Sequence, residues 1–149
     1  MTGLVTIRAL NANDRSEWTD MWCDYLAFYE TTVTDAVYDS TFSRLLGDDP
    51  QDFSCFVAEQ GGRLVGLTHY LFHRHAWTLE NTCYLQDIYA RPETRGTGVG
   101  RALIEAVYEA ADDKGNGSVY WLTQEFNHTA RKLYDRIGKQ TPFIRYQRK

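Results

Sequence analysis

The stretch RPETRGTGVGRALIEAVYEAA, Arg91 to Ala111, brings glycines at 96, 98 and 100 to the threshold of a helical pattern, with Arg95 before them and Arg101 behind. Glycine accepts positive φ and leaves the backbone open to close approach. The first N–H groups of a helix have no partner within it and lie at the positive end of its dipole. Together these features make a cradle for an anion such as a pyrophosphate, to which two guanidinium groups can add charge-assisted bonds. Two common phosphate loops do not fit. No Gly-Lys-Ser or Gly-Lys-Thr occurs, which excludes a P-loop. A dinucleotide fingerprint needs G-x-G-x-x-G directly after a strand. Here the spacing is G-x-G-x-G, residues 90–95 intervene, and position 101 is arginine. What remains is R-G-x-G-x-G opening a helix whose Leu103, Ile104, Val107 and Tyr108 share one face.

A second pattern lies downstream. NHTARKLY spaces Asn127, Ala130 and Tyr134 as N-x-x-A-x-x-x-Y. Asn127 suits a helix N-cap, and Tyr134 supplies a phenol two turns on. The strand pattern YLQDIYA places Gln86 and Asp87 side by side, and alternation sends them to opposite faces. His69, His73 and His75 share a strand face, but no close carboxylate completes a metal set, so a packing or surface role is expected for them. Trp22, Tyr25, Phe28 and Tyr29 recur at helical spacing, as the buried face of a helix or the wall of a slot.

DIYARPETRGTGVGRALIEAVYEAA and NHTARKLY resemble the two signatures of the GNAT superfamily of N-acetyltransferases, in the family's order and spacing. Its motif [QR]-x-x-G-x-[GA] is matched by Arg95, Gly98 and Gly100, with Gly96, Thr97 and Val99 between them. More narrowly, YWLTQEFN, ARKLY and TPFIRYQRK are similar to a subgroup that includes fungal histone and polyamine acetyltransferases and bacterial relatives. The resemblance implies direct transfer of acetyl from acetyl-CoA to a primary amine: a polyamine, a small amino compound or a lysine side chain. It implies a metal-free site in which the 95–101 loop holds the pyrophosphate. Backbone N–H groups of Ile88 and Tyr89 would serve the acetyl oxygen and pantetheine, Asn127 the pantetheine arm, and Tyr134 the departing sulfur as general acid. The base stays open. Related diamine acetyltransferases often carry glutamate where this chain has Gln86, which cannot take a proton; the alternatives are the adjacent Asp87, and Glu125 acting through water. Tyr29, Glu30 and Asp35 would meet the acceptor near the mouth. The other class kept in view is an acetyl-CoA-binding sensor or partner module without catalysis, against which an intact Tyr134 argues.

These groups need a scaffold. Alternation and helical spacing predict strands over 5–10, 53–75 (a hairpin turning at Gly61-Gly62), 81–92, 118–124 and 141–149. Helices are predicted over 16–30, 34–50, 99–114 and 127–138, with Asn13 or Asp14 capping the first. The order β-α-α-β-β-β-α-β-α-β is an α/β mixed sheet with helices packed on it. With the resemblance it implies the GNAT-like acyl-CoA N-acyltransferase fold in a single domain over 1–149. The alternating, aromatic PFIRY would leave an exposed edge, so a homodimer is expected.

Composition limits the partners. Residues 1–60 carry 11 acids and 3 bases, whereas 61–149 carry 9 acids and 13 bases. The basic residues are dispersed until the last nineteen, unlike the dense stripe of a nucleic-acid binder. No run is long and apolar enough for a membrane span, and the first residues lack a signal-peptide pattern. The three cysteines, 23, 55 and 83, form no C-x-x-C pair and suit reduced thiols. A cytoplasmic enzyme is the expectation.

Overall fold

The computed structural model describes residues 3–149. Five strands form one sheet in the order β1-β2-β3-β4-β5: β1 Thr6–Ala9, β2 Ser54–Gln60, β3 Arg63–His73, β4 Thr82–Ala90 and β5 Val119–Tyr120. The first three pairings are antiparallel and β4–β5 is parallel. The β2–β3 hairpin turns on Gly61 (φ 60°) and Gly62 (φ 76°), the double positive φ that a tight hairpin turn requires.

Each face of the sheet carries its own helices. On one side α1 (Arg15–Phe28) and α2 (Asp35–Leu45) bury Trp18, Met21, Trp22, Phe42 and Leu45 against Val57, Leu64, Leu67 and Tyr89. On the other, α3 (Val99–Asp113) turns Ile104, Val107 and Ala111 onto Tyr70, Cys83 and Leu85, and Val99 and Leu103 onto Ala58 and Val65. A large aliphatic side chain removed fully from water contributes roughly 1.5–3 kcal/mol, so this face anchors α3 and the loop before it. Helix α4 (His128–Ile137) lies over the same side through Leu133, Tyr134 and Ile137.

A bulge decides which way the site residues point. In the β3–β4 pairing His69 faces Asp87 but Tyr70 faces Leu85, so Gln86 is the extra residue. Cys83 and Leu85 turn to the α3 face before it, and Ile88 turns to that face after it. Asp87 and Tyr89 are thereby sent to the α1 side, while Gln86 is exposed. An odd-to-even switch of this kind is what one inserted residue does to a period of two.

Three expectations are corrected. The predicted 118–124 strand shrinks to Val119–Tyr120, so β4 has no neighbour on that side from Leu85 to Ala90. No strand forms over 141–149. Alternation yields a strand only beside a free edge of matching length, and two-residue β5 offers none; Phe143, Ile144 and Tyr146 are left exposed. Asp14 stands at the N-cap position of α1 but makes no side-chain cap bond; the capping side chain is that of Asn11, one 3₁₀ turn earlier, accepting from the Asn13 N–H at 2.9 Å. Asp14 is instead buried against Arg8 at 2.8 Å, a bond that holds its carboxyl below the usual range.

Candidate active site

The loop between β4 and α3 is braced before it is opened. Arg91 donates its backbone N–H to Val65 and its Nε to Leu64, both at 2.8 Å, tying the end of β4 to β3. Pro92–Thr94 forms a single 3₁₀ turn, and the hydroxyls of Thr94 and Thr97 bond back onto the carbonyls of Arg91 and Thr94. Gly96 (φ 82°) and Gly98 (φ 90°) then take the left-handed conformation that launches α3. Neither would meet another atom with an added Cβ, so the conformation and the open space in front are what these positions need. Gly100 is different: a Cβ there would lie 3.4 Å from the Leu133 side chain of α4, in close contact.

The backbone N–H groups of Gly96, Gly98, Val99, Gly100 and Arg101 find no acceptor among the described residues, and no side chain caps α3. Its first turn contains no acid. This is the unsatisfied, positive helix end that binds anions. Arg95 borders the opening. Arg101 does too, but its Nε is engaged by Glu105 at 2.7 Å. The Thr97 hydroxyl is turned back into the loop, so its part is to hold the loop's shape.

These donors open on a cleft of about 630 Å³, within the roughly 300–1,000 Å³ of small-molecule sites. Ile88, Tyr89 and Ala90 form its floor along the unpaired edge of β4, and Tyr25, Phe28 and Tyr29 close it from the end of α1. Asn127 and Tyr134 close it from α4. Asn127 is the residue preceding α4, yet its side chain makes no cap bond; its Nδ2 reaches Thr123 Oγ1 at 3.5 Å. Tyr134 packs on Trp121 at 5.5 Å and stands where this cleft meets a larger groove. Burial, with Tyr29 nearby, pushes its phenol up to about 12. It therefore keeps its proton at neutral pH, the state a general acid needs.

The candidate carboxylates are dispersed. Gln86 points to solvent. Glu125 lines the larger groove rather than this cleft. Glu30 and Asp35 are exposed beyond the end of α1 and line neither, whereas Tyr29 is part of the wall. Asp87 is buried behind the cleft, and for His69 alone the structure corrects the expectation that no carboxylate lies close to the histidines. His69 Nδ1 lies 2.8 Å from Asp87 Oδ2, and both residues are buried. The signal for this contact was the hairpin register, which puts 69 opposite 87 only once the bulge is known. Among the described residues no group of three metal-binding side chains occurs. The aromatic row divides: Trp22 joins the core, and Tyr25, Phe28 and Tyr29 line the cleft.

A mixed sheet opened along β4, with a glycine-launched helix aiming free N–H groups into the opening, is the architecture of an acyltransferase. The Acetyltransferase (GNAT) family model matches residues 16–138, and the chain belongs to this family of acetyltransferases. It is 32% identical over 145 residues to the D-amino-acid N-acetyltransferase HPA3 of Saccharomyces cerevisiae, covering 97% of this chain and 90% of that one. It is 39% identical over 100 residues to the thialysine N-epsilon-acetyltransferase of Sus scrofa, covering 62% of this chain and 58% of that one. Among solved structures, the aminoglycoside N-acetyltransferase AAC(6')-Iy in complex with CoA has a TM-score of 0.83 at 19% identity, over 98% of this chain and 95% of that one, and so shares the fold.

Proposed function

We propose that the protein moves acetyl from acetyl-CoA to a cationic primary amine by direct attack. The observation that carries this is the set of unsatisfied N–H groups at Gly96 and Gly98 to Arg101, opening on the same cleft that Tyr134 lines. Acetyl-CoA supplies an acetyl group activated as a thioester. The α3 terminus and Arg95 suit its pyrophosphate, the open β4 edge at Ile88 and Tyr89 suits the pantetheine arm and acetyl oxygen, and Asn127 suits the arm's amides. Tyr134 gives its proton to the departing sulfur.

The acceptor assignment draws on charge. An alkyl ammonium has a pKa near ~10.4 and arrives positively charged, while residues 1–60 carry eight more acids than bases. Glu30 and Asp35 would act as a steering field near the mouth and Tyr29 as wall. The yeast and pig relatives are named for amine-bearing acceptors, which agrees with this chemistry. The test is thiol release from acetyl-CoA against a panel of polyamines, amino acids, aminoglycosides and basic peptides. Turnover with cationic primary amines, weakening as salt screens the charge, is expected. Binding without thiol release from any amine would make the protein a sensor instead.

We also propose a homodimer. Exposed Phe143 and Ile144 line the larger groove together with Trp121, Leu122 and the two residues of β5, and Tyr146 is exposed as well. Sedimentation at micromolar protein should give a dimer, and truncation after Pro142 a monomer; a full-length monomer overturns this.

A further inference from the structure

A buried polar chain runs behind the cleft on the α1 face. Trp18 Nε1 donates to His69 Nε2 at 3.0 Å, His69 Nδ1 meets Asp87 Oδ2 at 2.8 Å, and Trp22 Nε1 donates to the same oxygen at 3.2 Å. An indole N–H only donates. Nε2 is therefore the acceptor nitrogen, the proton sits on Nδ1, and Nδ1–H donates to Asp87 Oδ2. A proton at Nε2 would set two N–H donors head to head, which fixes this tautomer. Trp18, His69 and Asp87 are 0%, 3% and 8% exposed, so this arrangement lies within the core.

Two donors thus hold one oxygen of the carboxylate. The other, Oδ1, has no hydrogen bond among the described residues, yet it is not sealed from solvent. Tyr25 follows Trp22, which bonds Asp87, by three residues on α1 and so lies on the same helix face; its phenol is pushed up first by burial and then by the charge on Asp87. Tyr25 lines the cleft with Tyr29, their rings 5.1 Å apart, and Tyr134 lines it from the other side. The alternative proton acceptors are elsewhere: Gln86 has no basic oxygen and Glu125 faces the other groove.

We propose that Tyr25 and Asp87 are the route by which the acceptor ammonium loses its proton, with His69, Trp18 and Trp22 as positioning residues. This rests on the acetyl-transfer reading above. The ammonium gives a proton to Tyr25 Oη while Tyr25 gives its own to Asp87 Oδ1, leaving a neutral amine, an intact phenol and a protonated carboxyl. One water or a small turn of the phenol completes the link. The amine then forms the C–N bond as the C–S bond breaks, and the sulfur leaves with the Tyr134 proton. The second proton lost from nitrogen restores Tyr134, and Asp87 releases its proton to solvent, so each turnover yields amide, free thiol and one proton.

The test compares two acceptors in the full-length protein: an alkylamine, charged at neutral pH, and its β,β,β-trifluorinated analogue, mostly neutral there. Tyr25→Phe keeps the ring and removes the relay. It should lower kcat/KM about 100-fold for the alkylamine and less than about threefold for the fluorinated amine. The melting-temperature rise with acetyl-CoA should be unchanged. Asp87→Asn should show the same selectivity, and His69→Gln a smaller version of it. Equal losses for both acceptors, or wild-type rates in Tyr25→Phe, overturn the relay while acetyl transfer stands. Wild type that binds acetyl-CoA but acetylates neither acceptor overturns both.

Discussion

The two ends of the cleft are made of different materials. At the α3 end the polar groups are backbone donors within one short segment, the free N–H groups of Gly96 and of Gly98 to Arg101, in a loop fixed by its own hydrogen bonds. At the α1 end they are side chains gathered from three elements: Tyr25 on α1 with Tyr29 just after it, His69 on β3 and Asp87 on β4. The first set suits an anion and has no proton to move. The second is rich in groups that take or pass a proton and offers an anion little. Substitutions at the α3 end should therefore register in cofactor affinity, and those at the α1 end and at Tyr134 in rate.

The sharpest separation comes from Tyr134, which stands between the two ends. Tyr134→Phe should lower kcat by about 10²–10⁴-fold, the usual contribution of a general acid. Acetyl-CoA affinity should stay within a few-fold and the melting temperature nearly constant. Steady-state kinetics with a calorimetric Kd checks this, and an affinity loss matching the rate loss would move Tyr134 into the binding end.

Arg95→Ala should do the reverse. An exposed charge-assisted contact is worth about 1.5 kcal/mol, so KM for acetyl-CoA should rise about tenfold with kcat unchanged. Equal affinity in the variant would mean that the backbone donors hold the anion alone.

Trp18→Phe tests the α1 end through stability. It strips His69 Nε2 of its donor in a fully buried place, which costs about 1–3 kcal/mol. Denaturant unfolding should show that loss; no change would mean that water enters and replaces the indole.

The mildest effect is set by pH. Burial pushes Tyr70 and Tyr134 up from 10.0 to about 12, and Cys83 from 9.0 to about 11. The folded protein binds these protons more tightly than the unfolded chain does. Their contribution to stability is intact below about pH 9 and is lost as pH rises toward 12, which a series of melting curves would follow.

The same contrast explains what could be read from residues alone. The α3 end is local: glycine spacing, flanking arginines and the helix pattern occupy one short segment, so 95–101 and its partners Asn127 and Tyr134 were legible, as was the order of elements through α4. The α1 end depends on register. Alternation separates Gln86 from Asp87, but only the bulge says which one goes inward, and only the β3–β4 pairing puts His69 beside it. Glu125, Glu30 and Asp35 carry charge without spacing that ties them to a wall, and the structure leaves all three outside this cleft. The C-terminal alternation promised a strand but could not supply an edge to pair with.

The most direct measurement of the central claim is the thermal stability of wild type and Gly98→Val with and without acetyl-CoA. A branched side chain at φ 90° is strained and occupies the space before the free N–H groups. Wild type should be stabilised by ~2.7 kcal/mol at a hundredfold excess over Kd, and Gly98→Val, though folded, should show no shift. No shift in wild type at millimolar acetyl-CoA, or an equal shift in both proteins, would contradict the account.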